Sequence, residues 1–172
     1  MSNEIIFFIQ LLVGIIFVLF AFRMGKFWIY ALVAGYVILA NIFVTKQFLL
    51  FGLAATGGNV VYGCTFLATD LLSEHYGKQE ARRAVVIGFF ASIIFLAMSQ
   101  FIIAYVPTAE DFVHPGMAQI FALAPRIVAA SMLAYLLSQF HDIWAFHFWK
   151  GKTRGKYLWL RNNLSTWVSQ AI

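Results

Sequence analysis

Residues 65–83 read Thr-Phe-Leu-Ala-Thr-Asp-Leu-Leu-Ser-Glu-His-Tyr-Gly-Lys-Gln-Glu-Ala-Arg-Arg, and the reading of this stretch decides the fold. Apolar segments long enough to cross a bilayer lie on both sides of it, so Asp70 and Glu74 fall inside a membrane or at its edge. Ionisable side chains are costly there, and keeping them points to a task. Four residues apart, the two carboxylates share one face of a helix, about one turn from each other. Gly77 ends that helix, and Lys78, Arg82 and Arg83 follow where a basic cytoplasmic loop belongs.

Composition agrees. The chain has 172 residues, 62% hydrophobic, 18% aromatic and 11% charged, far from a soluble domain. The excess of 12 Lys plus Arg over 7 Asp plus Glu sits in short loops between apolar runs, so topology explains it and a nucleic-acid partner does not. The single cysteine, Cys64, excludes an internal disulfide. The first apolar run follows Glu4, without a basic cluster or a small-residue cleavage site, and reads as a retained span.

A bilayer core takes roughly 20 apolar residues of helix. That ruler predicts an all-α, polytopic transmembrane bundle of about six spans, forming one integral membrane domain over residues 1–172. The spans are 5–22, 27–44, one within 48–73, 84–106, 117–149 and one opening near Leu158. Gly52, Gly57, Gly58 and Gly63 make an irregular or re-entrant entry into the third span. Pro125 beside Arg126 makes a break or an interfacial start in the fifth, which is too long for one upright helix. From Arg161 to Ile172 a helix reaches only about 18 Å of a core about 30 Å thick, so the last span is expected to be truncated and the chain a C-terminally incomplete piece. Placing the turns at 23–26, 74–83 and 150–161 on one side gathers ten of the twelve basic residues there. The positive-inside rule makes that side cytoplasmic and puts the N-terminus outside.

The fifth span carries Ser131, Tyr135, Ser138 and Asp142 on one stripe with Gln139 at its margin, either the wall of a polar path or a packing seam whose hydroxyls bond back to the helix. The sixth carries Asn162, Ser165, Thr166, Ser169 and Gln170 on one face, suited to interhelical glue or to a polar heterocycle. Arg126 either snorkels or partners an intramembrane carboxylate. Asp70 and Glu74 have a plainer reading as well, a clamp with Arg82 and Arg83 that holds topology. The histidines at 75, 114, 141 and 147 have no metal-ligand spacing, and no nucleophile elbow, zinc-protease, phosphate-loop or dinucleotide motif is present. The chain therefore reads as a non-enzyme without a cofactor, and without a phosphate loop any transport by it would be driven by a gradient or by a separate ATPase.

Several blocks carry a resemblance: residues 41–46 (Asn-Ile-Phe-Val-Thr-Lys), 50–52 (Leu-Phe-Gly), 65–77, 81–84 (Ala-Arg-Arg-Ala), 125–127 (Pro-Arg-Ile), 134–139 (Ala-Tyr-Leu-Leu-Ser-Gln) and 156–170. In this order they resemble the queuosine precursor transporter family, also called vitamin uptake transporters. The chain departs from the family in lacking a proline near Gly63 or Cys64, and in stopping where members continue with an Asp-Thr pair and a further helix. The resemblance implies a multi-pass importer in the bacterial inner membrane for 7-cyano-7-deazaguanine and its aminomethyl relative, salvaged for tRNA queuosine. A carboxylate can accept the adjacent N–H groups of such a ring edge, and an amide or Arg can meet its carbonyl. The expected substrate-binding residues are Asp70, Glu74 and Asp142, with Arg126, Gln139, Asn162 and Gln170 as secondary contacts. The partners are then the deazapurine base and the lipid bilayer, with a homo-oligomer or a separate ATPase module left open. Two rivals remain at this point: a substrate-binding subunit of an ATPase-coupled vitamin importer, and a membrane interaction or assembly subunit without cargo.

Overall fold

The computed structural model describes residues 2–122, 124–154 and 156–170, and their side chains except those of residues 124–128 and 170. The chain is all-α apart from one hairpin. Helices α1 (Asn3–Met24) and α2 (Lys26–Phe43) lead into strands β1 (Gln47–Leu50) and β2 (Leu53–Thr56). Then follow α3 (Gly58–His75), α4 (Lys78–Ala104), the short α5 (His114–Phe121), α6 (Ala124–Lys152) and α7 (Leu158–Gln170).

Two tight turns at one end set the up-and-down order. Gly25 between α1 and α2 has φ +106°, and Gly77 between α3 and α4 has φ +92°, a region that side chains with a Cβ rarely enter. Each lets a helix reverse within a residue or two. The opposite end carries the hairpin, paired antiparallel with Gln47 opposite Thr56 and Leu50 opposite Leu53. The hairpin is tied to the start of α1, where Asn3 Nδ2 donates to the Leu49 carbonyl at 2.9 Å and the Phe51 N–H donates to Glu4 at 3.2 Å.

Helices α1, α2 and α4 are each long and apolar enough to cross a membrane. Their greasy faces turn outward: Phe8, Leu12, Phe17, Phe90 and Phe101 are each more than half exposed. A water-soluble protein would bury such residues, so these faces are the lipid-facing surface of an all-α membrane protein. Only three of the 22 residues of α1 are buried, against eleven of the 18 in α3, which makes α3 the hub. It packs against α1, α2, α4 and α6, and α7 lies along α6.

The irregular or re-entrant entry expected ahead of the third span takes the form of a hairpin over residues 47–56, because short apolar runs flanking the Phe51-Gly52 turn pair with each other. The apolar stretch 117–149 is divided between α5 and α6 just ahead of Pro125, as its length and its proline required.

One close packing point locks α4 to α6. A Cβ added at Gly88 would stand 2.5 Å from the Tyr135 hydroxyl and 3.1 Å from Val37 Cγ2, while that hydroxyl donates to the Val85 carbonyl at 3.2 Å. Gly88→Ala is expected to destabilise the detergent-solubilised protein by about 1–3 kcal/mol. Tyr135→Phe, by removing the atom in the way, is expected to recover part of that loss in the double variant. Unfolding midpoints of the three variants check this, and simple additivity of the two losses would contradict it.

Candidate functional site

The polar residues of α3 point at α6 and α7. Helices α3 and α6 run in the same direction, so their polar stripes meet in register, and α7 returns antiparallel beside them. The first level, nearest the hairpin, is a cavity of about 300 Å³ between α2, α3, α4 and α6. Asn41, Asn59, Tyr62, Ser92, Tyr135 and Ser138 supply polar groups to its wall, and Ser169 of α7 reaches it too. Tyr62 and Ser138 close it through a 2.8 Å hydrogen bond between their hydroxyls.

At the next level Gln139 is clamped between two threonines of α3. Its Nε2 donates to Thr65 Oγ1 at 3.0 Å, and its Oε1 accepts from Thr69 Oγ1 at 3.2 Å. Gln139 is fully buried, and this pairing satisfies both ends of its amide, which is what lets it sit there.

Below it, Asp70 and Asp142 face one another within hydrogen-bonding reach, with the Ser165, Thr166 and Ser169 hydroxyls of α7 around Asp142. Asp142 is fully buried and Asp70 is 6% exposed. None of the four carboxyl oxygens has a hydrogen-bond donor among the described residues, and no Lys or Arg pairs with them there. The hydroxyls of Ser73 and Thr166 and the Asn162 side-chain oxygen are also buried without a partner among those residues.

The last level, at the basic end, is an ion cluster. Glu74 takes Arg161 of α7 at 2.6 Å and Lys150 of α6 at 3.0 Å. The Arg161 guanidinium is 1% exposed and lies 5.2 Å from the centre of the Phe146 ring. A second cluster ties α2 to α4 at the same end, with Glu80 receiving Lys26, Arg83 and the Tyr30 hydroxyl.

The structure thus brings Asp70, Asp142 and Gln139 together in the interior. It puts Glu74 one turn away in a cluster with two cations, and Asn162 on α7 with its oxygen buried. The side chains of Arg126 and Gln170 lie outside the described residues. The clamp of Asp70 and Glu74 with Arg82 and Arg83 does not form: Arg83 pairs with Glu80, which shares its helix at i,i+3, and Glu74 faces α6 and α7 instead. Of the five expected residues whose side chains are described, none lines the cavity.

Sequence reasoning missed Arg161, which counted only as a loop cation. It also missed Tyr62, Asn41 and Asn59 as lining residues. A lone Arg opening an otherwise uncharged helix was the available signal for the first. For the others there was none short of knowing which faces of α2 and α3 meet α6.

Glu74→Gln leaves the buried Arg161 with no carboxylate among the described residues. A loss of about 3–5 kcal/mol is expected, with a smaller loss in Glu74→Gln/Arg161→Gln, because the double variant strands only Lys150, which reaches water, and no fully buried charge. Detergent unfolding midpoints measure this; a double variant worse than Glu74→Gln would contradict it.

Comparison with known proteins follows the same lines. The family model described as "Putative vitamin uptake transporter" matches residues 56–172, which hold α3 to α7 and every level of the polar column. The chain is 36% identical over 170 residues to the "Probable queuosine precursor transporter" of Bacillus subtilis (strain 168), an alignment covering 98% of this chain and 74% of that protein. No solved structure matches the chain. With a family model matched over most of its length and a relative this similar from end to end, the chain belongs to the vitamin uptake transporter family.

Proposed function

We propose that this protein imports queuosine precursor bases, 7-cyano-7-deazaguanine and 7-aminomethyl-7-deazaguanine, across the bacterial inner membrane for tRNA queuosine salvage. The supporting observation is the cavity, lined by apolar side chains with Asn41, Asn59, Tyr62 and Tyr135 among them, in a chain similar to a protein named as a probable queuosine precursor transporter. About 300 Å³ is at the small end of the roughly 300–1,000 Å³ usual for small-molecule sites and suits a flat bicyclic base. Tyr62 and Tyr135 offer ring faces for stacking. The amides of Asn41 and Asn59 present donors and acceptors together, which a guanine-like edge requires. We assign the ring edge to these amides and not to Asp70, Glu74 or Asp142, which lie beyond the lining.

Six crossings, by α1, α2, α3, α4, α6 and α7, would give this site its orientation. With the N-terminus outside, the cavity and the hairpin are in the outer half and the Glu74–Arg161–Lys150 cluster is at the cytoplasmic face, where the basic turns gather. A membrane assembly subunit without cargo would use the serine stripes as packing glue. Ser138, Ser165 and Ser169 do bond back to their own helices, but Ser131 and Ser138 also line the cavity, which favours transport.

Uptake of labelled 7-cyano-7-deazaguanine into cells unable to synthesise it is expected with the wild type. Ala134→Phe, which fills the cavity, is expected to cut uptake at least tenfold, a loss of about 1.4 kcal/mol or more in cargo binding, at unchanged membrane abundance. Trp159→Ala, on the lipid-facing side of α7, is expected to leave uptake as it was. No uptake with the wild type would contradict the cargo, and full uptake by Ala134→Phe would contradict the site.

A further inference from the structure

We propose that Asp70 and Asp142 together form a proton-binding site that couples cargo import to the proton gradient, an inference that rests on the transport reading above. Three features of the site support it. The two carboxyls face each other within hydrogen-bonding reach, and all four of their oxygens are buried without a donor among the described residues. Two carboxylates in contact away from water repel, and a proton between them turns the repulsion into a hydrogen bond. The groups that could neutralise them otherwise are committed elsewhere: Arg161 and Lys150 are held by Glu74. Independently of the acids, Ser73 is 1% exposed with its hydroxyl unpartnered among the described residues. It lies three residues beyond Asp70 on the same face of α3, as a hydroxyl serving a site there would.

Polar and titratable groups flank the pair on both sides. Towards the hairpin end, Ser169 both borders the cavity and adjoins Asp142. His141 of α6 binds the same Ser169 hydroxyl at 2.9 Å, and Tyr62 of α3 stands on the cavity side. Towards the basic end come Glu74, His147, Lys150 and Arg161, with Lys78 of α4 beyond them. From α1 and α2 no Lys, Arg, Asp or Glu pairs with either acid among the described residues.

In the cycle one carboxyl O–H bond forms when a proton arrives through the cavity, and it breaks when that proton leaves past Glu74 to the cytoplasm. The loaded pair, with one negative charge fewer, is the state that crosses between outward and inward openings. One proton thus enters for each uncharged base.

The test uses the purified protein in proteoliposomes with radiolabelled 7-cyano-7-deazaguanine, which carries no charge. Counterflow against unlabelled base inside needs no net proton movement. Uptake driven by an inside-alkaline step of one pH unit does. One unit is 1.36 kcal/mol, so the wild type is expected to accumulate base up to about tenfold, to lose this with a protonophore, and to be indifferent to replacing Na⁺ by K⁺. Asp70→Asn and Asp142→Asn are expected to keep counterflow within about twofold, which is about 0.4 kcal/mol, and to lose the accumulation. Accumulation that follows Na⁺, or that survives both substitutions, overturns the proposal, and so does loss of counterflow in both variants. A wild type without counterflow would instead fail the transport reading. The proton site is then judged by infrared spectroscopy: a protonated-carboxyl band present in the wild type and missing from both variants upholds it, and absence of that band overturns it.

Discussion

Hydrocarbon offers no partner to a polar side chain, so a helix as polar as α3 can exist in a membrane only if other helices cover it. Asp70, Thr65, Thr69 and Ser73 are all buried on α3, and the covering is done by α1, α2, α4 and α6 with α7 behind. From that constraint the inside-out pattern of the molecule follows. The most apolar helix, α1, has few buried residues, and the hub has the most polar ones. Small contacts such as Gly88 against Tyr135 let the covering helices close on the hub.

Along the hub the polar groups are not equally satisfied. Gln139 has both ends of its amide bonded, and Glu74 is matched by two cations, so these levels hold helices together. The carboxyl pair between them is matched by nothing among the described residues. A buried group that is fully paired costs little and does little, whereas one left unpaired must be offset elsewhere. What sets the carboxyl pair apart is the lack of a counter-charge among the described residues, since the Glu74 level, where Arg161 Nε and Nη1 are also buried without a hydrogen-bond partner, at least pairs opposite charges.

Much of this was legible in the sequence. The runs at 5–22, 27–44 and 84–106 read as helices because an apolar run of that length, bounded by charge, fits a bilayer-crossing helix and little else. Helix α3 read correctly in its second half because Asp70 and Glu74 could only be tolerated on a covered face. Of the stripe Ser131, Tyr135, Ser138 and Asp142, the first three border the cavity and Asp142 lies beyond it, while the Ser138 hydroxyl also bonds back to the Tyr135 carbonyl. The hairpin was not legible, because four-residue strands leave no periodicity to count and the glycines fitted a broken helix equally well. The partner of Glu74 was not legible either. Arg82 and Arg83 are near in sequence, but the turn at Gly77 carries them onto α4, while Arg161 comes from the far end of the chain.

The central claim is that the faces of α3 and α6 enclosing Ser138 meet water while the opposite face of α6 meets lipid. With Cys64 replaced by alanine, single cysteines at Ser138 and at Leu137 can be exposed in intact membranes to a charged, membrane-impermeant thiol reagent. The account predicts labelling at position 138, slowed by added 7-cyano-7-deazaguanine, and none at position 137, although Leu137 is 61% exposed and Ser138 only 2%. Labelling at 137 with none at 138 would show the stripe to be a packing seam and would contradict the account.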